Sequence, residues 1–137
     1  LPPGGHIDAD EDPVQAVVRE VLEETGIAGE VVPHAPLHEF RNVPQLPAPL
    51  AIIVGAVGAS PGEPAHQHID MSYALRPRDG VARIAPEHDH GFGWVTQAQL
   101  LRDEHLPVAS CGADIAVAED VRVIGLRAIG LVRSGGG

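Results

Sequence analysis

The chain has 137 residues, 44% of them hydrophobic, and a formal net charge of −10. That length holds one domain with a real core, and that hydrophobic share excludes a disordered chain. All nine basic residues are arginine and the acids outnumber them at nineteen, so no basic face exists for polymeric nucleic acid.

In chain order, the first element is acidic. Asp12 suits a helix N-cap, Pro13 the first helical position and Gln15 the return arm of a capping box. Gly26 is placed as the left-handed terminator of that helix. Between them Glu20, Glu23 and Glu24 are spaced i, i+3 and i+4 and project from one face, while Val14, Val17, Val18, Val21 and Leu22 can pack on a core. Ile27 to Val32 is a short strand candidate, and the five prolines from Pro33 to Pro49 make the next segment irregular, with an extended piece at Leu37 to Val43.

Leu50 to Val57 is a nearly continuous apolar run, expected to be a strand buried on both faces. The longest apolar stretch, Ala48 to Ala59, is broken by Pro49, Gly55 and Gly58 and is too short to span a bilayer, so no membrane partner is expected. Ser60 to Pro64 is a turn by composition. In the strand expected at His66 to Leu75, Ile69, Met71, Tyr73 and Leu75 form an apolar face and His68, Asp70, Ser72 and Ala74 a more polar one. Val81 to Ala85 is a weak strand, Glu87 to Gly93 a polar loop, and Trp94-Val95 an end of a strand.

Thr96 caps a helix that runs to about Glu104, Pro107 to Gly112 is a connection, and a last helix starts at Asp114 or Ala118 and reaches Val132. Glu119 and Asp120 near its start and Arg127 and Arg133 near its end complement the helix dipole. The expected organisation is one domain over residues 1–133 with a frayed tail at 134–137. The single cysteine, Cys111, excludes an internal disulfide, no leader peptide is visible, and the chain reads as cytoplasmic.

The chemistry is concentrated in the acidic helix. Hard oxygen ligands on one rigid face suit Mg²⁺ or Mn²⁺. Phosphoanhydride cleavage needs charge neutralised on the phosphoryl oxygens and a water placed in line. Glutamates on a helix are ordinarily just a solvated face, and what sets these apart is the pattern around them. Gly5, five residues, Glu11, seven residues, Arg19-Glu20-Val21, one residue, Glu23-Glu24, one residue, Gly26-Ile27 matches every position of the Nudix box, so the chain resembles the Nudix hydrolases.

The resemblance implies an α/β fold, the Nudix-type α/β/α sandwich with a mixed β-sheet. Such domains ordinarily place strands ahead of the box, so the N-terminal strands are expected to be missing from this chain. By the same resemblance Glu20, Glu23 and Glu24 are the metal ligands. Arg19 fixes glutamate rotamers rather than clamping substrate, Glu11 supports the loop, and Gly5 and Gly26 sit where the backbone needs small residues. The water-activating base is Glu20 or a later loop carboxylate, for which Glu87 stands ahead of Asp89.

Two histidine pairs, His66-Gln67-His68 and His88-Asp89-His90, each place imidazoles on one face of an extended chain. Zinc is the sharper reading. The plainer one makes His68 and Asp70 substrate-binding residues and puts His88 and His90 on the active-site loop. The implied activity is metal-dependent hydrolysis of a nucleoside diphosphate linked to another group: a nucleoside triphosphate, a nucleotide sugar such as ADP-ribose, or a dinucleoside polyphosphate. The alternative is a catalytically silent nucleotide-binding or regulatory module, although such modules usually lose the box glutamates. Few aromatics are present to stack a base, and a homodimer through an exposed sheet edge is the one protein partner considered.

Overall fold

The computed structural model describes residues 2–84, 93–108 and 113–134. Helix α1 spans Pro13–Thr25, and its start is closed from both directions. The Asp12 carboxylate accepts from the amides of Val14 and Gln15, while the Gln15 side chain accepts from the Asp12 amide at 2.9 Å. Its end is closed by Gly26, at φ 71°, whose amide donates to the Leu22 carbonyl. That left-handed conformation costs a residue with a Cβ about 1–2 kcal/mol, so glycine is required there.

Strand β1 is Gly29–Val31 and pairs antiparallel with β4, Leu75–Pro77. A Cβ on Gly29 would lie 2.9 Å from Leu75 Cδ2, so the Leu75 side chain packs closely over the glycine at that point. Strand β2, Ala51–Val57, pairs antiparallel with β3, His66–Ser72, in the register Ala51 to Ser72 through Val57 to His66. The link between them is a tight turn, where Ser60 and Glu63 exchange backbone hydrogen bonds at 2.9 and 3.0 Å and Gly62 takes φ 88°.

The two ladders meet where β3 passes into β4. Leu50 donates its amide to the Ser72 carbonyl and Val32 donates to the Ala74 carbonyl, so residues 66–77 serve first one ladder and then the other. Helix α2, Gln97–Arg102, is capped by Thr96 and ends at Asp103 in a left-handed conformation. Strands β5, His105–Val108, and β6, Ala113–Ala116, form a third antiparallel pair. Helix α3, Glu119–Ser134, lies on α2 and β4, and its Arg127 donates to the Leu50 carbonyl at 2.7 Å. A Cβ on Gly125 would be 3.3 Å from Leu100 Cδ1, so α2 and α3 approach closely there.

This is the expected α/β content, with α1 docked on β1 and every strand pair antiparallel among the described residues. Several local expectations are corrected. Strand β2 alternates between half-buried and exposed instead of being buried on both faces. In an antiparallel ladder directly opposed residues share a face. Ile52 and Val54 therefore stand beside Met71 and Ile69 on the outer side, with Ile52 63% and Ile69 66% exposed.

In β3 burial does not follow the polar and apolar alternation, with His66, His68 and Met71 half-buried and Ile69 and Asp70 exposed. Residues 37–43, 81–84 and 94–95 form no strand, and Ala85 lies outside the described residues. Part of the expected connection at 107–112 belongs instead to the β5–β6 pair. The most buried apolar side chains described are Ala16, Leu50, Ala74 and Leu100, a small set of junction residues.

Two substitutions test the ends of α1. Asp12→Ala should cost about 0.5–2 kcal/mol through loss of the cap. Gly26→Ala should cost about 1–2 kcal/mol through left-handed strain. Thermal denaturation should show both as melting points several degrees below the parent, and an unchanged midpoint for either would contradict the capping geometry.

Candidate active site

Between the loop before α1 and the sheet lies a cleft of about 1180 Å³, larger than the usual ~300–1,000 Å³ of small-ligand pockets. Gly5, His6 and Glu20 line one side, and His68, Asp70 and Tyr73 line the other. Glu20 reaches the cleft because the turn in front of it is glycine: a Cβ built on Gly5 would overlap the Glu20 carboxylate.

The acidic side of α1 is organised by Arg19. Its Nε and Nη2 donate to the two Glu11 oxygens at 3.0 and 2.9 Å, a bidentate pair. Nη1 donates to Glu20 Oε1 at 2.8 Å and to Glu23 Oε2 at 3.1 Å. The second Nη2 hydrogen goes to the His6 carbonyl at 3.1 Å. A guanidinium carries five N–H groups, and all of them are committed here.

Glu11 is itself fixed, since its Oε2 also accepts from the Asp8 amide at 3.1 Å. Its carboxyl is held below the ordinary range chiefly by the Arg19 hydrogen bond, and Arg19 is raised in turn by Glu11 first and Glu20 second. Burial, helped by the Asp12 charge, raises the Tyr73 hydroxyl, which stays protonated at neutral pH.

The residues singled out by spacing divide into groups. Gly5, Glu20, His68 and Asp70 come together on the cleft, and Arg19 and Glu11 lie directly behind Glu20. Glu23 shares Nη1 of Arg19 with Glu20, so their carboxylates are neighbours, but Glu23 stands outside the cleft lining. Glu24 is bound separately, accepting from the Gly4 amide at 3.1 Å. Gly26 terminates the helix and does not itself line the cleft, although its neighbours Thr25 and Ile27 do. Glu87, with Asp89, His88 and His90, lies outside the described residues.

The donor set is the kind a hard divalent cation takes, namely carboxylate oxygens beside a backbone turn. Among the described residues no three His, Cys, Asp or Glu side chains yet converge on one point, because Arg19 holds Glu20 and Glu23 while Gly4 holds Glu24. The residues fit such a cation by chemistry and neighbourhood, with the carboxylates resting on internal donors.

Some participants escaped the sequence reading. His6 offers its carbonyl to Arg19 and packs its ring edge-on against His68 at 5.6 Å between centroids. Tyr73 and Trp94, two of the few aromatics present that could stack a base, line the cleft. The position of His6, directly after Gly5 in the turn, was the available signal.

A family model of the NUDIX domain matches residues 1–110. No curated protein matches the chain. Among solved structures, a NUDIX-family hydrolase from Clostridium perfringens aligns with a TM-score of 0.61 at 24% identity, over 96% of this chain and 81% of that one, a likeness of fold. No helix among the described residues is long and apolar enough to cross a membrane.

The Arg19–Glu11 pair has a pH signature. Its folded carboxyl lies below the ordinary 4.5, so the stabilisation it gives is present above that value and lost as pH falls through the lowered one. Carboxyl-carbon NMR should place Glu11 below 4.5 in the parent and return it toward 4.5 in Arg19→Ala. The difference in melting temperature between parent and variant should be largest at neutral pH and shrink in acid. A Glu11 titration unmoved by the substitution would refute the pairing.

Proposed function

The chain belongs to the Nudix family, and from that premise we propose that it hydrolyses a phosphoanhydride bond in a nucleoside diphosphate linked to another group, with Mg²⁺ or Mn²⁺ as cofactor. Candidate substrates are a nucleoside triphosphate, a nucleotide sugar such as ADP-ribose, or a dinucleoside polyphosphate. The observation that carries this reading is Glu20, seated over Gly5 at the cleft and held by Arg19, with His68 and Asp70 on the facing wall.

Glu20, Glu23 and Glu24 would hold the cation, which when bound would neutralise phosphoryl charge and acidify a water. Arg19 acts through the glutamates: it sets the Glu20 and Glu23 rotamers, and Glu11 anchors Arg19 to the loop. With its five hydrogens committed internally, Arg19 has none left for substrate phosphates. A carboxylate, Glu20 or Glu87, takes the proton from the attacking water, a role worth roughly 10²–10⁴ in rate. His68 and Asp70 are proposed as substrate contacts, with Asp70 accepting from hydroxyl or amine hydrogens rather than meeting phosphate.

A nucleotide panel with Mg²⁺ and Mn²⁺, read by phosphate release, tests the proposal. Glu20→Gln should lower turnover by about 10²-fold or more, and Glu23→Gln and Glu24→Gln should raise the metal concentration needed. Release left intact by Glu23→Gln and Glu24→Gln would remove the metal-ligand assignment. Unchanged turnover in Glu87→Gln would leave Glu20 as the base. Nucleotide binding with no release from any substrate would make the chain a binding module instead.

A further inference from the structure

Outside the box, a polar cluster sits at the start of β3. His66 Nδ1 lies 3.0 Å from the Pro64 carbonyl oxygen. A carbonyl only accepts, so Nδ1 carries the proton, and the neutral ring presents its lone pair at Nε2. His68 Nε2, 3.0 Å away, donates its hydrogen to that lone pair, with the two rings tilted at 49° and their centroids 4.9 Å apart. A cation bound by both rings would replace that hydrogen, with His68 passing to the Nδ1–H tautomer. Glu63 Oε1 is 3.6 Å from the same His66 nitrogen.

An imidazole whose Nδ1–H is tied to a backbone carbonyl while Nε2 is left available is the arrangement in which histidine ligates metals. Two nitrogens bound to one tetrahedral cation at ~2.0–2.1 Å stand about 3.3 Å apart. The observed 3.0 Å is therefore a few tenths of an ångström short, within reach of a small ring rotation. The backbone supports the same reading. Ser60 and Glu63 lock the turn through paired hydrogen bonds, and the β2–β3 register holds His66 opposite Val57 and His68 opposite Gly55.

We propose that His66, His68 and Glu63 form a binding site for a borderline transition-metal cation of the Zn²⁺ class. Imidazole nitrogen suits such ions, whereas the all-carboxylate box suits hard ones, so the two sites would differ in the metal they select. The three side chains do not yet enclose a point; Glu63, 61% exposed, has room to swing in as the third ligand. His68 lines the cleft while His66 and Glu63 do not, which puts the cation at the rim with its fourth position open.

The test needs no nucleotide, so its outcome is separate from that of the hydrolase proposal. Metal-free protein is titrated with Zn²⁺ against a chromophoric chelator, and Co²⁺ is added to a second sample to read the visible bands of tetrahedral coordination. One ion per chain is expected, with affinity lowered at least tenfold in His66→Ala and His68→Ala and less in Glu63→Gln. Glu20→Gln and Glu23→Gln should keep the Zn²⁺ site. Melting curves without Zn²⁺ separate a lost ligand from a lost fold, since on adding the ion the parent, Glu20→Gln and Glu23→Gln should gain melting temperature and the two histidine variants should not. Binding no tighter than in a His66→Ala/His68→Ala double variant, or binding that disappears with Glu20 and Glu23 instead, overturns the proposal.

Discussion

The guanidinium of Arg19 joins the loop ahead of α1 to the acidic side of the helix. Without it, Glu20, Glu23 and Glu24 would be like charges on adjacent turns, each pair costing about 0.2–0.5 kcal/mol. With it, Glu20 and Glu23 share one nitrogen, Glu11 takes a bidentate grip, and the His6 carbonyl closes the fifth donor. Lysine could not replace it, because an ammonium has three donors and no planar fork. The glycine at position 5 follows from the same arrangement, since the Glu20 carboxylate occupies the space where a side chain would be.

The facing wall depends on a change of partner along one strand. Because residues 66–77 pair first with β2 and then with β1, the β3 side chains His68 and Asp70 are turned toward the loop that carries Gly5 and His6. The cleft gathers carboxylates and imidazoles in a chain of formal net charge −10, so a phosphate-bearing ligand is repelled until a cation changes the local sign.

What was legible in the sequence was local. The Asp12–Gln15 capping box, Pro13, the i, i+3, i+4 spacing of the glutamates and Gly26 as terminator involve residues within one or two turns, and the structure realises those bounds. The Thr96 cap is legible for the same reason. The strands were harder. Ala51–Val57 is apolar enough to pass for a strand buried on both sides, yet alternation of exposure depends on what covers each face of the ladder. The β5–β6 pair was hidden because Pro107 argues against a strand, and pairing along an edge overrides that local preference.

For the candidate site, the sequence by itself determined the residue types and their spacing: the glutamates, the arginine beside them, and the glycines of the leading turn and the helix end. It could do so because one helix and one turn hold them, and their geometry follows from helical periodicity. Only the tertiary structure decided which glutamate meets the cleft. It also decided that Arg19 is fully engaged within the box, that His6 stands against His68, and that His66 and Glu63 come together at the rim. Those contacts join residues from the loop, from strand β3 and from the turn just before it. Ladder register and chain reversal place them, and no periodicity along the chain encodes either.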